Sequence, residues 1–294
     1  MKFIGYIFVY SITWVFHILP DRALYLFSDF LYLIAYHVVR YRKQVVFGNL
    51  TRAFPAYGHR EVEEVARKYY HHLCDLLLES AVFLFYSKKR ALKKISYRNQ
   101  ELLEDLFKKG KQVIGVTAHY GNWEYLATLG LLTDYRILAA YKPLKNKYFD
   151  RFIRKSRKKF GVIPIPMEKI ARRMMTYGRE KDPTMAIFLS DQRPLKSHIQ
   201  YWTRFMGMDT PLYLGAEKLS RKLGAAVIFI KISKAKRGHY EVEYELICES
   251  PPEMEPHMIT ESHVRILEEV IRERPELWLW SHRRWKYSKP RPAG

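Results

Sequence analysis

Gln112-Val113-Ile114-Gly115-Val116-Thr117-Ala118-His119-Tyr120-Gly121-Asn122-Trp123-Glu124 is the stretch that decides the fold. Gln112 to Thr117 reads as a short buried strand, Gly121 supplies a turn, and Asn122 is a good N-cap for a helix over 123–132 whose first turn holds Glu124. On a continuous helix, side chains at i and i+5 lie roughly 140° apart, so His119 and Glu124 cannot share a face and a turn must intervene. The expectation is an imidazole and a carboxylate held in one loop at the carboxyl end of a strand, with Glu124 close enough to hold His119.

A carboxylate bonded to one ring nitrogen fixes the tautomer, raises the basicity of the other nitrogen and stabilises the imidazolium formed when a hydroxyl proton is taken. No Ser or Cys with an activating partner stands beside this pair, which favours direct attack by a substrate hydroxyl on a bound acyl group over a covalent acyl-enzyme. Alone, the spacing also fits a bland alternative: Glu124 complementing a helix dipole and His119 as an ordinary loop histidine.

Outward from this stretch, strands over 136–140, 162–165, 185–190, 226–232 and 240–247 alternate with helices over 102–107, 147–160, 168–178, 212–223 and 260–273. Such alternation predicts an α/β fold with a mixed, mostly parallel central sheet flanked by helices. Glu61 to Tyr86 carries apolar residues near helical period and predicts a long amphipathic helix. The 192–211 stretch lacks periodicity and reads as a functional loop. Open sheets bind ligands outside the carboxyl ends of their strands, so the loops His119–Glu124, Tyr141-Lys142-Pro143 and Asp191-Gln192-Arg193 are expected to converge on one cleft.

The chain of 294 residues is long enough for a full core and reads as an N-terminal membrane-associated segment, 1–45, followed by one α/β domain, 46–294. Phe3 to Leu19 is 17 residues without a charge, about 25 Å as a helix and slightly short of a roughly 30 Å hydrocarbon core, so spanning and lying in the interface both remain open. Ala23 to Val39 is nearly as apolar but carries Asp29 and His37, which lipid would penalise, and is expected to pack on the body or rest at the interface. Arg40, Arg42 and Lys43 follow at once and suit the anionic cytoplasmic leaflet. Cys74 and Cys248 lack the spacing of a zinc site or a redox pair, in keeping with a reducing, cytoplasm-facing location.

With 51 Lys and Arg against 30 Asp and Glu, a formal balance of +21, the chain calls for an anionic partner: lipid headgroups, a phosphorylated glycolipid, an acidic carrier protein or nucleic acid. Eight of the fifteen residues from Lys145 to Lys159 are basic, with Lys147, Arg151, Arg154, Lys155 and Lys158 on one helical face. No helix-turn-helix, zinc finger or RNP signature accompanies them, which leaves a nucleic-acid reading without a base-reading device. Near the carboxyl end, Trp278-Leu279-Trp280-Ser281-His282-Arg283-Arg284-Trp285-Lys286 sets paired arginines between tryptophans, able to bind phosphate or to order the tail. His282 is a second candidate histidine without a carboxylate at a recognisable offset, and packing is its expected role.

Together these pieces resemble the bacterial lipid A biosynthesis acyltransferases, the late acyltransferases within the lysophospholipid acyltransferase superfamily. The resemblance covers nearly the whole chain: the N-terminal apolar helix, RYRKQVVFGNLTRAFP at 40–55, AHYGNWE at 118–124, YKP at 141–143, FMG with TP at 205–211, and WLWSHRRWK at 278–286. It implies fatty acyl transfer from an acyl carrier protein thioester, less often coenzyme A, to a hydroxyl of a phosphorylated glycolipid on the cytoplasmic face of the inner membrane. It also implies His119 as base and Glu124 as its orienting acid, with no metal and no cofactor beyond the acyl donor. Lys142 and Arg157 look similar to groups that steady phosphate or the oxyanion, and Asn122, Asp191, Arg283 and Arg284 complete the implied substrate-binding set. The Tyr-Gly-Asn-Trp between the pair is shared with acyltransferases acting on other lipids, such as phosphoinositol mannosides or amino-acid lipids, so the acceptor stays open. A non-catalytic basic protein that binds membrane or nucleic acid is the rival from another class, and a hydrolase using His119 to activate water is a third.

Overall fold

In the computed structural model, which describes residues 2–290, the central sheet is built from strands β1 (Ile95–Tyr97), β2 (Val113–Thr117), β3 (Arg136–Tyr141), β4 (Ile163–Pro166), β5 (Thr184–Leu189), β8 (Ala226–Lys236) and β9 (His239–Cys248). A separate pair, β6 (Tyr201–Phe205) and β7 (Met208–Leu212), forms a small antiparallel hairpin. The seven strands lie in the order β1-β9-β8-β2-β5-β3-β4. All neighbours are parallel except β8 and β9. The mixed, mostly parallel sheet expected from the sequence is therefore present.

Every residue of β2 is buried, as a strand covered on both faces requires. Period-2 alternation splits its side chains between two cores. Val113 packs with Met185, Ile228 and Ile230 against Leu78, Val82 and Phe83 on one face. Ile114 and Val116 pack with Leu138, Ala186 and Val227 against Ile170, Met174 and Leu219 on the other. The first face is covered by α4 (His59–Phe83), α6 (Glu101–Lys108) and a 3₁₀ segment, Trp123–Leu131. The second is covered by α8 (Ile170–Arg179) and α9 (Gly215–Leu223). A third core joins α3 (Lys43–Ala53), α4 and α10 (Met258–Glu273) to the tryptophans of the carboxyl-terminal segment. The remaining described α-helices are α1 (Lys2–Ile18), α2 (Asp21–Leu33), α5 (Lys88–Leu92) and α7 (Lys147–Lys159).

Three local departures from the sequence reading have physical causes. The 192–211 stretch is not an irregular loop: it holds a turn at Lys196–His198 and the β6–β7 hairpin. Met206 and Gly207 both have positive φ, 50° and 75°, which is the two-residue turn that matches strand twist, here written Met-Gly instead of Asn-Gly. The helix expected over 123–132 is 3₁₀, and Asn122 makes no side-chain cap to it. The helix expected from 212 starts at Gly215, because Leu212 belongs to β7.

At the amino end, α1 exposes Phe3, Ile7, Phe8, Val9, Trp14, Val15 and Ile18, and α2 exposes Leu26, Phe30 and Leu33. No described helix is long and apolar enough to cross a membrane. The second apolar stretch packs on the body, and its charge is accounted for: Arg237 bonds Asp29 at 2.6 Å and the buried Asp75 at 2.7 Å, while Ser28 donates to Asp75 at 2.8 Å. Ring contacts from Tyr6 to Phe149 and Tyr10 to Phe152 seat α1 against the apolar side of α7.

Candidate active site

The site follows from sheet register. In the parallel pair β2 and β5, Thr117 stands beside Leu189, and Ser190 N–H donates to the Thr117 carbonyl at 2.9 Å. Two residues further along each chain come His119 and Asp191, which the register delivers side by side. His119 Nδ1 lies 2.7 Å from Asp191 Oδ1, with the imidazole 18 % and the carboxylate 2 % exposed. An ionised carboxylate only accepts, so Nδ1 carries the hydrogen and Nε2 keeps its lone pair. The Gln192 amide nitrogen lies 3.3 Å from that Nε2.

Asp191 is fully engaged: Trp278 Nε1 donates to Oδ2 at 2.9 Å. Trp278 is held there by main-chain pairing with the His119 loop. Gly121 N donates to Leu277 O at 3.0 Å, Leu279 N donates to His119 O at 3.1 Å, and Tyr120 and Trp278 form an antiparallel bridge. Gly121 makes the turn, with φ +59°, and packs closely on the sheet, Ile232 Cγ2 lying only 3.0 Å from where a Cβ would sit. The His119 ring lies edge-on to Trp123, centroids 4.8 Å apart.

Burial disfavours the His119 imidazolium, but the charge and hydrogen bond of Asp191, with a smaller field from Glu124, outweigh it and raise the pKa above the ordinary imidazole value. Burial pushes Asp191 upward, and the His119 interactions with the Trp278 bond reverse that, leaving its pKa depressed. The pair is a basic imidazole backed by an ionised carboxylate.

The expectation that Glu124 orients His119 is corrected in its geometry. Glu124 contributes field but no hydrogen bond to the ring; its carboxylate meets Arg157 Nη2 at 3.2 Å. Beyond the Gly121 turn the 3₁₀ segment carries Glu124 toward α7, and the orienting position goes to Asp191. Asn122, expected at the substrate, is fully buried and donates to Glu79 Oε2 at 2.8 Å. Arg284 is also buried, donating to Pro211 O at 3.0 Å, and burial lowers its pKa to about 10. Lys142 and Arg283 are exposed. His282 accepts from Arg193 N at 3.3 Å, with its pKa lowered to about 4 by burial, which makes it a neutral packing residue. Trp278 and Gln192 had no assigned site role in the sequence; only the position of Gln192 just past a strand end pointed to it. Among the described residues no three His, Cys, Asp or Glu side chains gather as metal ligands would. An open groove of about 660 Å³ lies at the opposite, amino-terminal end of the strands, lined by Lys111 and Gln112 ahead of β2 and Pro183 ahead of β5, away from His119.

Residues 2–287 match the family described as bacterial lipid A biosynthesis acyltransferase. The chain belongs to that family. Among curated proteins it is 23 % identical over 290 residues to the lipid A biosynthesis palmitoleoyltransferase of Escherichia coli (strain K12), covering 97 % of this chain and 90 % of that one. The lipid A biosynthesis acyltransferase of Shigella flexneri matches at the same identity and coverage. Membership of the lipid A acyltransferase family makes the protein an acyltransferase, and its activity broadly that of lipid A acylation.

Proposed function

We propose that this acyltransferase moves a fatty acyl chain from an acyl carrier protein or coenzyme A thioester to a hydroxyl of a lipid A precursor, with His119 as general base and Asp191 as its orienting acid. The 2.7 Å contact between His119 Nδ1 and Asp191 carries this reading, because it leaves Nε2 as the free base. The acceptor hydroxyl gives its proton to Nε2 as its oxygen attacks the thioester carbonyl. The tetrahedral intermediate then expels the thiolate, which takes the proton from the imidazolium. No acyl-enzyme is required. Arg157, half-buried and fixed by Glu124, supplies positive charge beside the dyad for the oxyanion or an acceptor phosphate. Exposed Lys142 and Arg283 suit the outer phosphates of an anionic glycolipid.

Residues 1–45 seat the enzyme on the cytoplasmic face of the inner membrane. Support comes from the exposed apolar residues of α1 and α2. Exposed Leu144, Met167, Leu189 and Leu195 flank the carboxyl ends of β3, β4 and β5, where an acyl chain would leave the bilayer. The exposed cationic face of α7 suits an acidic carrier protein.

The test is transfer of a labelled acyl chain from a carrier-protein thioester to a lipid A precursor in membranes, read by mass spectrometry. The expected result is one added acyl chain, lost in His119→Ala and Asp191→Asn. Undiminished transfer in both variants would remove the dyad. Acylation of an inositol-mannoside or amino-acid lipid instead would relocate the acceptor, and salt-steep DNA binding without transfer would favour the rival basic-protein reading.

A further inference from the structure

Behind the His119 loop lies a buried polar cluster that takes no part in the chemistry above. Glu79 of α4, 1 % exposed, accepts three hydrogen bonds: from Asn122 Nδ2 at 2.8 Å, from Tyr240 of β9 at 2.9 Å, and from Tyr25 of α2 at 2.9 Å. Two turns earlier on the same helix, His72 Nε2 donates to the Gly121 carbonyl at 3.3 Å. Both contacts fall inside the His119–Glu124 loop. They hold its inner side, while the Leu277–Leu279 segment holds its main-chain edge.

The location is costly. A buried carboxylate with only neutral donors pays desolvation that a well-packed apolar side chain would avoid, and burial duly raises the Glu79 pKa. Asn122 depends on this one acceptor, since its Oδ1 is buried without a partner. A position so expensive, joined to the residue between His119 and Glu124, is accounted for by what it fixes.

We propose that Glu79 is a positioning residue for the acyl transfer: through Asn122 it fixes the loop that presents His119 to Asp191, and through Tyr25 it ties that loop to the apolar N-terminal helices. The proposal rests on the acyltransferase reading for its kinetic arm, and a second arm tests it without activity. Glu79→Gln keeps an oxygen for Asn122 and Tyr240 and turns its NH₂ toward the Tyr25 phenol oxygen, so it retains kcat to within about threefold. Glu79→Met keeps the volume and removes the acceptor, and kcat falls about tenfold or more with KM changed less than twofold. Tyr240→Phe removes a bond to the same carboxylate without touching the loop and leaves kcat near wild type. Because Glu79 acts through Asn122, the Glu79→Met, Asn122→Ala double variant loses no more kcat than the worse single variant.

In the second arm, hydrogen exchange over residues 118–126 speeds up in Glu79→Met and stays at the wild-type rate in Glu79→Gln and Tyr240→Phe. Equal kcat in Glu79→Met and wild type, additive losses in the double variant, or unchanged exchange in Glu79→Met would each overturn the proposal. Should Glu79→Met fail to fold, Asn122→Ala against Asn122→Ser gives the same exchange comparison, and equal protection to wild type in both overturns it. A wild type that transfers no acyl chain would sink the functional reading, while the exchange arm would still decide on Glu79.

Discussion

Two carboxylates act on His119 from different parts of the molecule, and they have different environments. Asp191 is 2 % exposed, bonded to the ring at 2.7 Å and locked by Trp278. Glu124 is 29 % exposed, makes no bond to the ring, and is bound to Arg157 on the cationic helix. The nearer in sequence is the looser in space. A turn built on Gly121 separates residues five apart, whereas strand register joins residues 72 apart at 2.7 Å.

The sharpest break in this comparison is Asp191→Asn. An amide at Oδ1 or Oδ2 cannot accept from both Nδ1 and Trp278, and loss of the oriented tautomer is expected to lower kcat by about 10³–10⁴. His119→Ala is expected to fall as far, read in the same single-turnover assay. Glu124→Gln keeps the shape and removes the charge that holds Arg157, so the loss is at most about 10² and appears partly in KM for the phosphorylated acceptor. Equal losses in the two carboxylate variants would erase the distinction drawn here.

The pH profile sharpens it further. His119 must be neutral to act as base, and its pKa is raised, so activity rises with pH through a limb above 6.5, the ordinary imidazole value. Asp191→Asn removes the main group that raises it, and the residual activity should show that limb at lower pH. Glu124→Gln, which removes only the smaller field, should move the limb down less. A profile whose acid limb is identical in all three proteins would contradict the assignment.

The smallest catalytic effect belongs to another carboxylate, buried and with a purely architectural place. Glu217 of α9 accepts from His257 N at 2.6 Å and Thr260 N at 3.0 Å at the start of α10. Glu217→Ala is expected to cost about 1–3 kcal/mol of stability, measured by denaturant unfolding, and to leave kcat unchanged at temperatures where the protein is folded.

The strands from Val113 to Leu189 were legible as short apolar runs, and the long helix over His59–Phe83 because its apolar residues repeat near helical period. Asp191 was visible as a polar residue past a strand end, but its partner was not, since β2 and β5 are neighbours only in the assembled order. The β6–β7 hairpin was hidden because Met-Gly is a weak turn signal and Pro211 interrupts the strand pattern. Asn122 looked like a helix cap because its sequence neighbours allow one; its actual acceptor, Glu79, lies on a helix far away in the chain. The short α5 and β1 offer too few residues for any period to register.

The bridge between Tyr120 and Trp278 makes the carboxyl-terminal segment the last piece of the reaction centre. The nine described strands are complete by Cys248, yet the indole that anchors Asp191 arrives thirty residues later. A chain clipped just ahead of Trp278 would keep its described strands but lose both the anchor of Asp191 and the buried tryptophans of the third core, so a cut there is expected to loosen the proposed dyad and its support together.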